Sequence, residues 1–373
     1  MPEIMARAST FHKPSRVFGM NCRHFADLIT PPSRDLKMSP QDAKMKSRPN
    51  CLISPGGSHA VLDPAIRDFL DTRAAAGKPS IYGLSPPEMK PAFEELQSNG
   101  HSALGIDVTF HQVRTEDGTV LDFHLVRPPG LKSSPPVILY FHGGGFVAGS
   151  WSTHSRLVAA LATRAQAAVA FLDYDLIGDT HYPEPENQGF RLASLISSRG
   201  GEFGLDGTRL AVAGDGAGAC IATGVAWRAL QERGPQLLFQ ALFCPWVGFG
   251  RSNCDDADIA WLSGPVYRRL CARHFGVAID QHGIFPDNVS YTRLEAMPPA
   301  LIITADYDVT RPGAEMYALK LLQAGVDVAA VRYVGTIHDF AVLAPLSSTA
   351  AAACAVNQSG ELLHKALAEK GRN

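Results

Sequence analysis

After about residue 105 the chain alternates short β-rich runs with helical ones, and this alternation limits the fold more than any other feature. The apolar runs are Val137 to Phe141, Ala168 to Leu172, Leu210 to Ala213, Leu237 to Phe243, Ala300 to Thr304 and Val326 to Tyr333. Between and after them lie helical stretches at Ser155 to Arg164, Asn187 to Ser197, Ala217 to Gln231, Gly313 to Ala324 and Val356 to Ala368. Strands that alternate with helices build βαβ units, so the spacing predicts an α/β fold with a mostly parallel central sheet flanked by helices. Sheets of this kind place their ligand sites at the carboxyl ends of the strands.

The segments before residue 105 have a different character. Residues 1–60 mix Pro, Ser, Lys, Arg and Met without periodicity, with turn signals at Pro31-Pro32 and Pro55-Gly56-Gly57, and are expected to form a largely irregular arm. Residues 61–104 contain apolar positions at helical spacing from Asp63 to Gly77 and from Pro86 to Gln97, each run entered at a proline, as suits a first helical turn. These predict two N-terminal cap helices. Residues 105–373 then form the α/β domain, interrupted at about 250–285, where Trp261 and a helical Val266 to Phe275 suggest a second piece of cap.

A charged share of 19% and a net charge of -2, with no polybasic block, argue against a nucleic-acid partner. The seven cysteines are scattered without zinc-type spacing, which implies a reducing compartment and no structural metal. No apolar run reaches membrane-spanning length, and the first residues lack the apolar core of a secretory signal. A cytoplasmic protein acting on a small molecule is the expectation, with a transit peptide and a homodimer left open.

Four short motifs carry chemistry. His142-Gly143-Gly144-Gly145-Phe146 directly follows an apolar strand, and consecutive glycines let the backbone turn its N–H groups toward one developing negative charge. Gly214-Asp215-Gly216-Ala217-Gly218 joins a strand to a long helix through small residues, the layout of a nucleophile elbow, yet its central residue, Gly216, has no side chain. Its spacing does not suit a dinucleotide loop. Asp308 lies just past the run Leu301 to Thr304, where an isolated Asp is usually a helix cap. His338 lies in Gly335-Thr336-Ile337-His338-Asp339-Phe340, and the order elbow, Asp, His is that of a Ser-His-Asp triad on this type of sheet.

Together the motifs resemble the hormone-sensitive-lipase-like family of α/β-hydrolases, from about residue 60 to the C-terminus. The resemblance implies an α/β-hydrolase fold with a helical cap and no cofactor. It also implies an oxyanion hole at Gly143, Gly144 and Ala217, His338 as base and Asp308 as the residue that orients it. Asp215 and His142 are structural in that family. Three positions depart from its pattern: Gly216 stands where the serine belongs, Pro312 replaces the second aspartate of the acid motif, and Asp179 replaces a glutamate. Cys220, one helical turn beyond Gly216, is poorly placed to substitute.

The missing hydroxyl leads to the expectation of a repurposed enzyme that uses His338 and Asp308 for non-hydrolytic general-base chemistry such as cyclisation, aldol-type condensation or lyase reaction. A second reading is a carboxylic ester hydrolase whose serine has been changed, and a third a non-catalytic small-molecule receptor. Phe146, Trp246 and Trp261 are the candidate pocket walls, with Trp151 and Phe340 as further aromatics, for a small apolar carbonyl compound.

Overall fold

The sheet expected from the alternating runs is present in the computed structural model, which describes residues 61–78, 80–98, 105–178, 181–247, 261–276 and 291–368. Its eight strands are β1 (Asp107–Arg114), β2 (Val120–Arg127), β3 (Val137–Phe141), β4 (Ala168–Leu172), β5 (Leu210–Asp215), β6 (Leu237–Phe243), β7 (Ala300–Tyr307) and β8 (Val328–Ile337). They lie in the order β1-β2-β4-β3-β5-β6-β7-β8. The pairings from β4 to β8 are parallel, whereas β1 pairs β2 and β2 pairs β4 antiparallel.

Helices cover this sheet because its central strands are apolar on both sides: every residue of β3, β4 and β5 is buried. The covering helices are α3 (Trp151–Ala165), α4 (Glu184–Arg199), α5 (Gly216–Gln231), α8 (Arg311–Gln323) and α9 (Ala350–Ala368). Pro312 falls in the first turn of α8, where a missing N–H leaves no intrahelical bond unmade.

The two cap helices form at α1 (Pro64–Ala75) and α2 (Pro86–Gln97), joined by a 3-10 turn at Ile81–Gly83. Asp63 caps α1 by accepting from the Ala65 N–H at 2.8 Å, and Ser85 and Glu88 close a capping box on α2. Buried Gln97 fixes α2 to the body: its amide donates to the carbonyls of Thr153 and Val342, and its Oε1 accepts from the Ala344 N–H at 2.6 Å. The second piece of cap is α6 (Gly264–Phe275), entered from Trp261; the short α7 (Tyr291–Leu294) follows in the chain. Phe69 of α1 packs on Trp261 with ring centroids 5.4 Å apart, and the Ser80 hydroxyl donates to the Trp261 carbonyl, so both cap pieces form one layer. The N-terminal arm, Asp179 and the remainder of the 250–285 insertion lie outside the described residues.

Candidate active site

The carboxyl ends of β3, β5, β6, β7 and β8 deliver His142, Gly216, Cys244, Asp308 and His338 respectively. Each is at the point where an apolar strand gives way to a turn, so the buried sheet fixes the backbone while the side chains project beyond its edge.

His338 and Asp308 are both buried, and His338 Nδ1 lies 2.7 Å from Asp308 Oδ2. An ionised carboxylate only accepts, so the proton of this bond sits on Nδ1. The other oxygen of Asp308 accepts from the Thr310 N–H at 2.9 Å, which fixes the carboxylate from behind. In the neutral ring Nε2 is then an acceptor, and it receives the Trp246 indole N–H at 3.2 Å. Burial opposes charge on His338, but Asp308, followed by Asp339, outweighs it and holds the ring well above the usual histidine range.

Cys244 completes the group. Its sulfur, a nitrogen of His338 and an oxygen of Asp308 lie within 4.8 Å of one another, and all three residues are buried. The residue takes a left-handed backbone conformation, φ 44°, held by its N–H donating to the Ile303 carbonyl at 2.8 Å. Burial, with Asp308 next, pushes its thiol up to about 12 despite the opposing His338. A protonated thiol beside a carboxylate already bonded to imidazole suits proton transfer better than metal binding, which needs the thiolate.

The glycine-rich loop is braced around buried Asp215. This carboxylate accepts from the Tyr140 hydroxyl at 2.6 Å and the Gly143 N–H at 3.1 Å, with His154 Nε2 at 3.3 Å. Burial raises Asp215, but His154 and the Tyr140 bond more than offset it, so the group stays below the usual carboxylate range. The Gly143 amide, expected to join the oxyanion hole, already donates to Asp215, so any bond it made to a substrate oxygen would be a shared one. Gly144 follows at φ 105° and Gly145 at φ 66°, conformations that suit residues without Cβ and turn the loop back on itself. His142 stacks on Tyr174 at 4.3 Å, and the Tyr174 hydroxyl donates to the His142 carbonyl at 2.7 Å. Burial, then His154, lowers the His142 ring to about 4, leaving a neutral brace.

Gly216 opens α5, so Ala217 is among the first residues of that helix, whose N–H groups have no acceptor within it. The conformation at Gly216 is left-handed, φ 50°, and a Cβ there would meet His338 Nε2 and Trp246 Nε1, each at 3.4 Å. The side of the turn expected to hold a nucleophile thus does face the imidazole.

Of the expected walls, Phe146 packs edge-on against Trp246 with centroids 5.8 Å apart and stacks on His274 of α6 at 3.8 Å. Trp261 reaches Asp339, donating its indole N–H to Oδ2 at 3.1 Å. All three rings are buried. Trp151 instead stacks on His124 at 5.1 Å, and Phe340 packs against Tyr333 at 5.3 Å. Cys220 is buried within α5.

Cys244, Asp339 and Tyr82 are the residues the sequence motifs did not single out. The signal for Cys244 is its place: the first residue after an apolar strand, before Pro245-Trp246. No local pattern marks Tyr82, whose hydroxyl reaches Asp339 from the distant cap.

A mostly parallel sheet under a helical cap, with imidazole, carboxylate and thiol grouped at its strand ends, defines a hydrolase of the α/β type. The family described as alpha/beta hydrolase fold matches residues 138–342, more than half of the chain, and the protein belongs to it. Carboxylesterase NlhH of Mycobacterium tuberculosis is 30% identical over 309 residues, covering 78% of this chain and 92% of that protein. Among solved structures, a thermostable esterase from Pseudomonas putida superposes with a TM-score of 0.78 at 33% identity, covering 84% of this chain and 99% of that one. An esterase of Tuber melanosporum superposes with a TM-score of 0.72 at 26% identity, over 82% and 99% of the two chains. The chain is carboxylesterase-like, with hydrolase-type activity in general terms.

Two expectations are corrected by these findings. The hormone-sensitive-lipase-like assignment with glycine in place of serine is too narrow: the match is to the general α/β-hydrolase family, with Cys244, Asp308 and His338 as the triad-like cluster. The non-hydrolytic reading falls with it, because the relatives are carboxylesterases and esterases and the grouped thiol, imidazole and carboxylate are those of a hydrolytic site. Ester hydrolysis, the second reading, is the one they favour. Among the described residues no helix is long and apolar enough to cross a membrane.

Proposed function

We propose that this protein hydrolyses carboxylic esters with small, largely apolar groups, using His338 as general base and Asp308 to orient it. The observation that carries the reading is the 2.7 Å bond from His338 Nδ1 to Asp308 Oδ2, with the Cys244 sulfur in the same buried cluster. Cys244 is the nucleophile. Its sulfur attacks the ester carbonyl as its proton passes to His338, and collapse of the tetrahedral intermediate releases the alcohol with that proton. Water, deprotonated by His338, then cleaves the thioester to the acid and restores the thiol. A thiol held near 12 is compatible with this route, since an adjacent base activates a weakly acidic nucleophile during attack rather than beforehand.

Negative charge on the carbonyl oxygen would be met by the amides of Gly144 and Ala217, with Gly145 beside them in place of Gly143, whose N–H donates to Asp215. Donors fixed before reaction incur little reorganisation cost, and one such donor contributes about 3 kcal/mol to the transition state. Phe146, Trp246 and Trp261 form the apolar surroundings, which favour small hydrocarbon substituents over charged ones.

One observation supports a second route to the same products. A Cβ at Gly216 would lie in ordinary contact with His338 Nε2 at 3.4 Å, so that side of the turn faces the base, which would there activate a water to attack the ester directly. Cys244→Ala separates the two. Loss of hydrolysis, together with an acyl adduct on Cys244 by mass spectrometry of the quenched wild-type protein, supports the thiol route. Unchanged hydrolysis in Cys244→Ala assigns the attack to water. Absence of hydrolysis across aryl esters of graded acyl length in the wild-type protein contradicts the proposed function altogether.

A further inference from the structure

Asp339 adjoins the base on the side away from Asp308. Its Oδ1 lies 3.4 Å from His338 Nε2, and the residue is buried with a left-handed backbone, φ 64°, which turns its carboxylate back toward the ring it follows. The other oxygen, Oδ2, accepts the Tyr82 hydroxyl at 2.7 Å and the Trp261 indole N–H at 3.1 Å. Tyr82 belongs to the 3-10 turn between α1 and α2, and Trp261 precedes α6, so each piece of the cap sends one hydrogen-bond donor to this carboxylate. The Tyr82 ring also meets His338 edge-on with centroids 5.8 Å apart.

We propose that Asp339 is a positioning residue for His338, a second carboxylate that holds the ring through Nε2 and ties its protonation to the docking of the cap through Tyr82 and Trp261. This rests on His338 being the base. Its Nε2 has two mutually exclusive partners. Without a proton it accepts from Trp246; with one it donates to Asp339, and Trp246 must give way. Tyr82 and Trp261 share the negative charge of Asp339 and thereby limit its pull on that proton. If the cap lifts, the carboxylate loses both donors and binds the proton more strongly, and docking weakens that hold again.

The groups facing the ring fit this assignment. Asp308 faces Nδ1, and Cys244 and Tyr82 face the ring as neutral groups: burial, then Asp308, pushes the thiol up to about 12, and burial, then Asp339, pushes the phenol well above its usual range. Burial raises Asp339 against the opposing pull of His338, and Asp215, in the elbow, adds to the rise in both Asp339 and Tyr82. Arg156 is turned to the carbonyls of Ala341 and Val342.

The test is the titration of the His338 ring, followed by NMR in the full-length protein without substrate, in wild type, Asp339→Asn and Tyr82→Phe. In Asp339→Asn the amide oxygen can keep both cap donors while its NH₂ donates to Nε2, so the ring should titrate lower by about one to three pH units. In Tyr82→Phe the carboxylate loses a donor and attracts the proton more strongly, so the titration should move up. Shifts of opposite sign support the proposal; a purely structural role predicts no such pair. An unmoved ring in a folded Asp339→Asn overturns it, and if that variant does not fold, an unmoved or lowered ring in Tyr82→Phe does so. Because no ester enters the measurement, its failure is distinguishable from a failure of the proposed hydrolysis.

Discussion

The indole N–H of Trp246 donates to His338 Nε2 at 3.2 Å, so the nitrogen that must accept a proton already has a hydrogen-bond donor in the closed site. Such a bond stabilises the neutral ring. Trp246→Phe keeps most of the packing and removes the donor, so the base should become harder to deprotonate. The midpoint of the rising limb of kcat/KM against pH is expected to move up by about half a unit to one unit. A limb that stays in place would show that this contact is energetically idle.

Asp308 fixes which ring nitrogen carries the proton. In Asp308→Asn an amide N–H directed at Nδ1 would force the proton onto Nε2, the wrong tautomer for a base. A drop in kcat on the order of 10⁴-fold is expected with the fold intact, measured by steady-state kinetics alongside circular dichroism. A loss below about tenfold would show that the carboxylate does not set the tautomer.

The stability of the fold should depend on pH through two histidines of opposite sign. Burial lowers His142 in the folded protein to about 4 from its ordinary 6.5, so between these values the unfolded chain binds a proton that the folded ring refuses. Stability contributed by this site is therefore lost as pH falls from 6.5 toward 4, by up to about 3 kcal/mol. His338 is raised instead, so its contribution is full below 6.5 and is lost as pH rises through its folded value. Urea denaturation over the acid window should show the loss in wild type and a shallower slope in His142→Asn. Equal slopes would remove His142 from the account.

What the sequence reveals depends on which residues are contiguous. The ends of β3, β4 and β6 fall where the apolar runs place them, because unbroken apolar stretches bounded by turns mark strands buried on both faces. The strands β1 and β2 lack such unbroken apolar runs. Their residues, DVTFHQVR and VLDFHLVR, alternate, because β1 is a sheet edge and both strands keep one face partly exposed. β8 extends to Ile337 rather than stopping at Tyr333, because Gly335 and Thr336 break the apolar pattern before the strand ends.

The same distinction governs the site. His338, Asp308 and the glycine loop are each flagged by neighbours in the chain, and the sheet brings them together. Cys244 acquires its meaning only from the ends of β7 and β8 beside it, and Asp339 from Tyr82 and Trp261 in the cap, pairings that no local pattern encodes. Gly143 shows the converse, since its motif is legible but the direction of its amide depends on the distant Asp215.

The most direct test of ester hydrolysis at this imidazole is the steady-state rate on a short-chain aryl ester for wild type and for His338→Ala. Turnover well above buffer is expected in wild type, with a fall of at least about 10³-fold in the variant with its fold retained. Equal rates in the two proteins, or none above buffer in wild type on any such ester, would contradict ester hydrolysis at this site.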